Sequence, residues 1–296
     1  MYSEIAANKR KTVLLLASFF LLIAVIALVF GQAYGNYSIT VGALIGSAIY
    51  ALISYYGASK LALGMNGAKE IQKRDDPRLW RIVENLAITN GMPMPKVYII
   101  EDRALNAFAT GRNPEHAIVA ATTGLLDALD KQELEGVMAH ELGHVKNYDI
   151  RVSMIAFALV AAVALLADLM LRASFYGRAF SDDDDGPASS GIMMILSIVA
   201  MILAPIVASM IQLAISRKRE YLADATGALT TRYPEGLASA LEKIRDQGSV
   251  LKRQNPSTAH FFISNPLRRK SFAALFSTHP PVNDRISKLR NMDTKL

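Results

Sequence analysis

The chain has 296 residues, 52% of them hydrophobic, and a formal net charge of +6. Its mean hydropathy of +0.24 is high for a soluble protein, so a membrane is the first expectation. There is no cysteine, which excludes disulfides, thiolate nucleophiles and cysteine-based zinc knuckles. The basic residues cluster beside long apolar runs, a placement that favours lipid headgroups over nucleic acid.

No charged residue occurs between Lys11 and Lys60. A polar, glycine-containing patch at 32–38 divides this stretch into two predicted spans, 12–30 and 39–58, each near the ~20 residues that cross a bilayer. A cleaved signal peptide is the rival for the first. Its apolar run exceeds the usual ~7–15 residues, and a second run follows at once. Gly42 and Gly46 form a GxxxG pattern that suits helix packing within one chain as readily as dimerisation.

Residues 60–151 read as a first soluble piece. A helix is predicted over 78–90 after Pro77, ending at Gly91, and then a strand over 96–100. Two more short strands, 106–110 and 117–121, flank the turn-rich stretch 111–114. Asp130 followed by Glu133 predicts a capping box, and Leu134, Val137, Met138, Leu142 and Val145 continue at helical spacing.

Two further runs, 152–171 and 192–215, are also long enough to span. Asp168 with Arg172 four residues on suits a helical ion pair better than an ion pathway. Asp182 to Asp185 read as an acidic solvated loop, and Pro205 as a kink in the fourth span. A second soluble piece follows over 217–296. The expected organisation is therefore 1–59 with two spans, 60–151 soluble, 152–216 with two more spans, and 217–296 soluble. The first connecting loop has no Lys or Arg, whereas the N-terminus, 60–81 and 217–219 are basic. Those basic parts, both termini and the soluble pieces are expected on the cytoplasmic side of the cell membrane.

The chemistry is carried by His-Glu-Leu-Gly-His at 140–144. Four residues on a helix rotate by about 400°, so His140 and His144 project from nearly one face, one turn apart. Both reach one tetrahedral ion. Glu141 is rotated by about 100° and faces the reacting water without being a ligand, which is the geometry of a general base. The bland alternative is a pair of helix histidines serving caps or core hydrogen bonds. A catalytic zinc needs a third protein ligand. A three-histidine extension would require histidine at 150, where Ile150 stands. Glu220 is the strongest candidate, because an antiparallel pair of spans between 152 and 215 returns it to the membrane face from which the 140–144 helix departs. Its alternative is an interfacial salt bridge with Arg217 or Lys218. Asp224, one turn on, is placed to accept the other N–H of a ligand imidazole. Asp149 either supports the site or caps a turn.

Together these residues resemble the HtpX-type membrane zinc metallopeptidases, relatives of the CAAX prenyl endopeptidases. The resemblance runs the whole length: two early spans, Asn106-Ala107-Phe108-Ala109, the 140–144 motif, two more spans, Arg219-Glu220 with Asp224, and His279-Pro280-Pro281 followed by Arg285. It implies one zinc per chain, held by His140, His144 and Glu220, with Glu141 as catalytic base. It implies that Asn106 to Thr110 is an edge strand pairing with substrate peptide. It also implies that His279 and Arg285 stand near the cleft, stabilising the oxyanion or holding substrate backbone. His116 and His260 match nothing and are expected at the surface.

The expected fold is a mainly α membrane protein: four transmembrane helices and a cytoplasmic zincin-like peptidase unit of the HExxH plus Glu type, with a small β-sheet. The function that the resemblance implies is cleavage of misfolded or damaged membrane proteins on the cytoplasmic side. The expected partners are polypeptides and the lipid bilayer, with no nucleic acid and the homo-oligomeric state open. Competing functions are a CAAX-type prenyl-protein endopeptidase, a zinc transporter or sensor without hydrolysis, and a non-catalytic chaperone. Almost no polar residues line the spans for transport, and Glu141 argues against the chaperone.

Overall fold

A computed structural model of the protein describes residues 2–33, 37–159, 217–247, 251–253, 258, 261–264 and 280–293. The predicted fourth span, most of the third, Asp168, Asp182 to Asp185, Pro205, His260 and His279 lie outside the described residues. The chain divides into two compact units, one of Met1–Thr12, Tyr56–Met154 and Ile215–Leu296, the other of Val13–Tyr55 and Ile155–Ala214.

The first two predicted spans fall within helices α1 (Tyr2–Ala33) and α2 (Tyr37–Asn66). In the apolar unit the Thr40 hydroxyl donates to the Ala27 carbonyl at 2.8 Å, tying the start of α2 to α1. Val13, Leu14, Leu21, Val41, Leu52 and Ile53 are exposed over more than half their surface. That density of outward-facing aliphatic side chains suits hydrocarbon better than water. Among the described residues no single helix is long and apolar enough to cross a membrane. Thr40–Ile53 and Tyr55–Asn66, bent by 62°, meet that requirement as a pair. A side-chain carbon on Gly42 or Gly46 would meet nothing within 4 Å, so this pattern makes no close helix contact among the described residues.

The other unit is built on a four-stranded sheet, β1 (Ala68–Glu70), β2 (Lys96–Ile100), β3 (Ala107–Thr110) and β4 (Ile118–Thr122), in the order β1-β2-β4-β3. The β2–β4 pairing is parallel and the other two are antiparallel, which leaves β3 at one edge. Helix α3 (Pro77–Asn90) begins where the Asp76 side chain accepts from the Leu79 amide and ends at Gly91, whose φ of 63° only glycine adopts freely. Leu79, Ile82, Val83 and Leu86 make its buried face, at the spacing of one helical stripe.

A short helix, α4 (Thr123–Ala128), leads to α5 (Lys131–Lys146), which carries the histidine motif. The expected capping box is present: Asp130 accepts from the Glu133 amide at 2.9 Å and Glu133 accepts from the Asp130 amide at 2.7 Å. Helix α6 (149–159) follows, then α7 (Arg217–Thr231), α8 (Pro234–Gln247) and α9 (Val282–Asp293). Leu134, Val137, Met138 and Leu142 of α5 pack with Leu237 and Leu241 of α8 in one core. Lys243 on α8 reaches Glu133 at 2.7 Å, fastening that helix to the first turn of α5. Replacing Asp130 by Ala should therefore cost about 1 kcal/mol, read as a lower thermal unfolding midpoint of the metal-free protein, because the first turn loses its cap.

Candidate active site

Helices α5 and α7 meet almost backbone to backbone. A side-chain carbon on Gly227 would lie 3.0 Å from the His140 backbone nitrogen, and one on Gly143 would lie 3.3 Å from the Ala223 carbonyl oxygen. Glycine at both positions permits this approach. Glu220 and Asp224, one turn apart on α7, are thereby brought against His140 and His144, one turn apart on α5.

The two Nε2 atoms lie 3.2 Å apart. Glu220 carboxylate oxygens lie 3.4 Å from His144 Nε2 and 3.9 Å from His140 Nε2. All three ligand atoms fall within 4.8 Å of one another. Zinc bonds of about 2.0–2.1 Å at tetrahedral angles would put ligand atoms roughly 3.4 Å apart. The nitrogen–nitrogen–oxygen set therefore fits a tetrahedral zinc in both donor chemistry and span.

Each imidazole is held through its other nitrogen. His140 Nδ1 lies 2.9 Å from Asp224 Oδ1, and His144 Nδ1 lies 3.0 Å from Asp149 Oδ2. A carboxylate that accepts the Nδ1 proton fixes the tautomer in which Nε2 offers a lone pair to a metal. Asp149, which the sequence left between support and turn cap, thus touches a candidate ligand. Arg285, on α9, is 1% exposed. It donates to Asp224 from Nε at 2.9 Å and Nη2 at 2.7 Å, and its Nη1 lies 3.7 Å from Glu220. The same arginine therefore grips the carboxylate that orients His140.

Burial and charge set the acidities. Burial lifts the Glu141 carboxyl to about 7, partly opposed by His144 and Arg285 and by the Ala109 backbone amide. Burial lowers His140 to about 4, although Asp224 pulls the other way. His144 feels the same burial, but the carboxylates of Asp149, Glu220 and Glu141 outweigh it and raise its value to about 9. Burial would raise Asp224, yet Arg285 and His140 hold it down to about 2.

Beside these groups runs β3, whose Ala107–Thr110 stretch is buried throughout. Its inner edge pairs with β4, and its outer edge carries an antiparallel bridge from Phe108 to Phe262. The Ile263 amide donates to the Ala107 carbonyl at 3.0 Å. The Asn106 side chain donates to the Ser264 carbonyl at 2.9 Å and accepts from the Ser264 amide at 3.2 Å. Phe108 and Phe262 stack edge to face with centroids 5.0 Å apart. The cleft lined by His140, Glu141, His144 and Glu220 is walled by Ala109 on one side and by Phe261, Phe262 and Ile263. The expected edge strand therefore stands at the site, with its outer edge taken by a segment of the same chain.

Two features escaped the sequence. Phe261 to Ile263 have no motif to mark them. Arg219 is buried and points Nη1 at Asp149 Oδ1 over 3.5 Å, although its basic neighbours Arg217 and Lys218 made it look like part of an interfacial cluster. His116 is exposed, as expected. His279 lies outside the described residues.

Residues 73–293 match the model of peptidase family M48. The chain is 53% identical over 292 residues to a protease HtpX homolog of Tropheryma whipplei (strain Twist), an alignment covering 99% of this chain and 98% of that one. It belongs to family M48, in the HtpX branch. A protease HtpX homolog of Streptococcus uberis is 45% identical over 298 residues, covering 99% of this chain and 100% of the other. The fold is also that of a crystal structure of S. mikatae Ste24p, with a TM-score of 0.52 at 19% identity over 98% of this chain and 67% of that one. The activity class follows from the family: the protein is a membrane zinc metallopeptidase.

Replacing Arg285 by Met would strand the Asp224 carboxylate, 2% exposed, without its cation. A loss on the order of 3–5 kcal/mol is expected, measured as thermal unfolding of the metal-free protein. Lys at 285 should restore only part of it, because an ammonium cannot reproduce the paired guanidinium bonds.

Proposed function

We propose that the protein is a zinc endopeptidase in which His140, His144 and Glu220 hold one zinc ion and Glu141 is the general base. The observation that carries this reading is the convergence of three ligand atoms within 4.8 Å beside a buried carboxyl lifted to about 7. A carboxyl poised near neutral pH is matched to taking and returning a proton. Zinc bound there supplies a Lewis acid that polarises the scissile carbonyl and lowers the pKa of water.

Glu141 takes one proton from the attacking water as its oxygen adds to the carbonyl carbon. It then delivers that proton to the amide nitrogen, so the C–N bond breaks with a neutral amine leaving. Asp224 and Asp149 hold the two imidazoles in register, and Arg285 holds Asp224. His279, by the family resemblance, serves the oxyanion or the substrate backbone.

Substrate peptide pairs with Asn106, Ala107, Phe108 and Ala109 as an added antiparallel strand. The Phe262 bridge and the Ile263 hydrogen bond lie on that edge, so an entering strand replaces them. The substrates are misfolded or damaged membrane proteins, cut on the cytoplasmic side of the cell membrane. Four spans are supported by the outward-facing aliphatic residues of α1 and α2 and by the two later apolar runs of the sequence. On this reading 60–151 and 217–296 form the peptidase, and 1–59 and 152–216 anchor it. A prenyl-protein endopeptidase would share the chemistry and differ in requiring a prenylated C-terminus.

Replacing Glu141 by Gln should leave zinc content unchanged and abolish casein cleavage by the full chain in detergent. Chelation should abolish wild-type cleavage, and added zinc should restore it. A metal-binding protein without hydrolysis would show no zinc-dependent cleavage in either form. Replacing Ile263 by Pro removes one hydrogen bond from the outer edge of β3. The KM for casein should then fall about fivefold, the equivalent of ~1 kcal/mol, while a rise in KM would place the peptide elsewhere.

A further inference from the structure

Asn8 lies near the start of α1, before the first apolar run, and is 1% exposed. Its side-chain amide nitrogen donates at 2.8 Å to the Asn147 carbonyl and at 2.8 Å to Asp149 Oδ1. Among the described residues the amide oxygen of Asn8 has no partner, so there the side chain acts as a donor. Asp149 then uses its other oxygen for His144 Nδ1 at 3.0 Å. A chain of two hydrogen bonds thus joins the N-terminal segment to a candidate metal ligand far along the sequence.

The turn between α5 and α6 needs such a hold. Tyr148 has φ of 61°, a left-handed conformation that is costly for a bulky residue and persists only where its surroundings impose it. Asn147 and Asp149, on either side, both receive hydrogen bonds from Asn8. The next residue, Lys9, places its ammonium 5.2 Å from the Tyr148 ring centroid, within cation–π range. All three residues of the turn are therefore engaged from the N-terminal end of α1.

We infer that Asn8 is a positioning residue of the metal centre, acting through Asp149 on the His144 imidazole. The inference rests on His144 being a zinc ligand, as proposed above. It adds that the N-terminal segment, besides leading into the membrane run, completes the outer support of the site. A neutral amide suits this task. It offers two N–H groups to two acceptors and leaves the Asp149 charge to be shared between His144 and Arg219, whose Nη1 lies 3.5 Å from Oδ1.

The test is zinc affinity, measured by competition with a chromophoric chelator on the purified full chain in detergent. Asn8→Ala should weaken zinc binding about tenfold, the low end of what losing the direct partner of a ligand histidine costs, since Asn8 acts one hydrogen bond further out through Asp149. Asn8→Asp keeps the size of the side chain but turns a carboxylate towards Asp149, so its loss should be at least as large. In a background already carrying Asp149→Ala, Asn8→Ala should have no further effect. For casein, kcat should fall while KM stays unchanged. Unchanged affinity in Asn8→Asp, or an equal loss from Asn8→Ala with and without Asp149, would overturn the inference. His144→Ala is the separate control. Wild-type affinity in that variant would overturn the ligand assignment itself, a result distinct from a silent Asn8.

Discussion

Glycine at 143 and 227 lets the backbones of α5 and α7 come closer than a side chain at either position would fit without a shift, and that contact assembles the site. A Cβ on Gly227 would meet the His140 backbone at 3.0 Å, so a larger residue there requires the helices to give by a few tenths of an ångström. The histidine motif by itself supplies two imidazoles on one face. Only the close packing of α7 adds Glu220 as a third donor and Asp224 as a support. α9 then closes over the pair with Arg285, and the capped first turn of α5 fixes the helix that carries both histidines.

The second consequence is electrostatic. Among the described residues, Asp149, Glu141, Glu220 and Asp224 are buried with two guanidinium groups, Arg219 and Arg285, and the His140 imidazole, beside the half-buried His144. With neutral imidazoles and all four carboxyls ionised, the set would carry two more negative charges than positive ones. A divalent cation would balance it, and buried charges are tolerated when so paired. Against burial, the carboxylates of Asp149, Glu220 and Glu141 raise His144 to about 9, so positive charge is favoured at this spot. Glu141 differs from Asp224 in that burial outweighs its charged neighbours and raises its carboxyl, whereas against the same burial Arg285 and His140 hold Asp224 down, as the proposed division between a proton-transferring and an orienting carboxylate requires.

The local features were legible in the sequence. The capping box at Asp130 and Glu133, the glycine stop at 91 and the strand at 96–100 follow from short-range chemistry, and each stands where that chemistry puts it. Strand β1 was missed because Ala-Lys-Glu has little β-propensity and exists through its pairing with β2. Glu220 was reachable because the expected antiparallel pair of spans limits which parts of the chain can meet. Asn8, Arg219 and Phe262 were not, since their partners lie 141, 70 and 154 residues away and a lone Asn, Arg or Phe carries no spacing signal. Such contacts are set by the tertiary fold, and they form the outer part of the site around a core that the motif announces.

The central claim is a zinc ion held by two imidazoles and one carboxylate. X-ray absorption at the zinc edge of the purified chain tests it directly. The account predicts two imidazole nitrogens and carboxylate oxygen at about 2.0–2.1 Å, with the carboxylate contribution lost and the imidazoles kept in Glu220→Ala. A spectrum with three imidazoles, or one unchanged by Glu220→Ala, would contradict it.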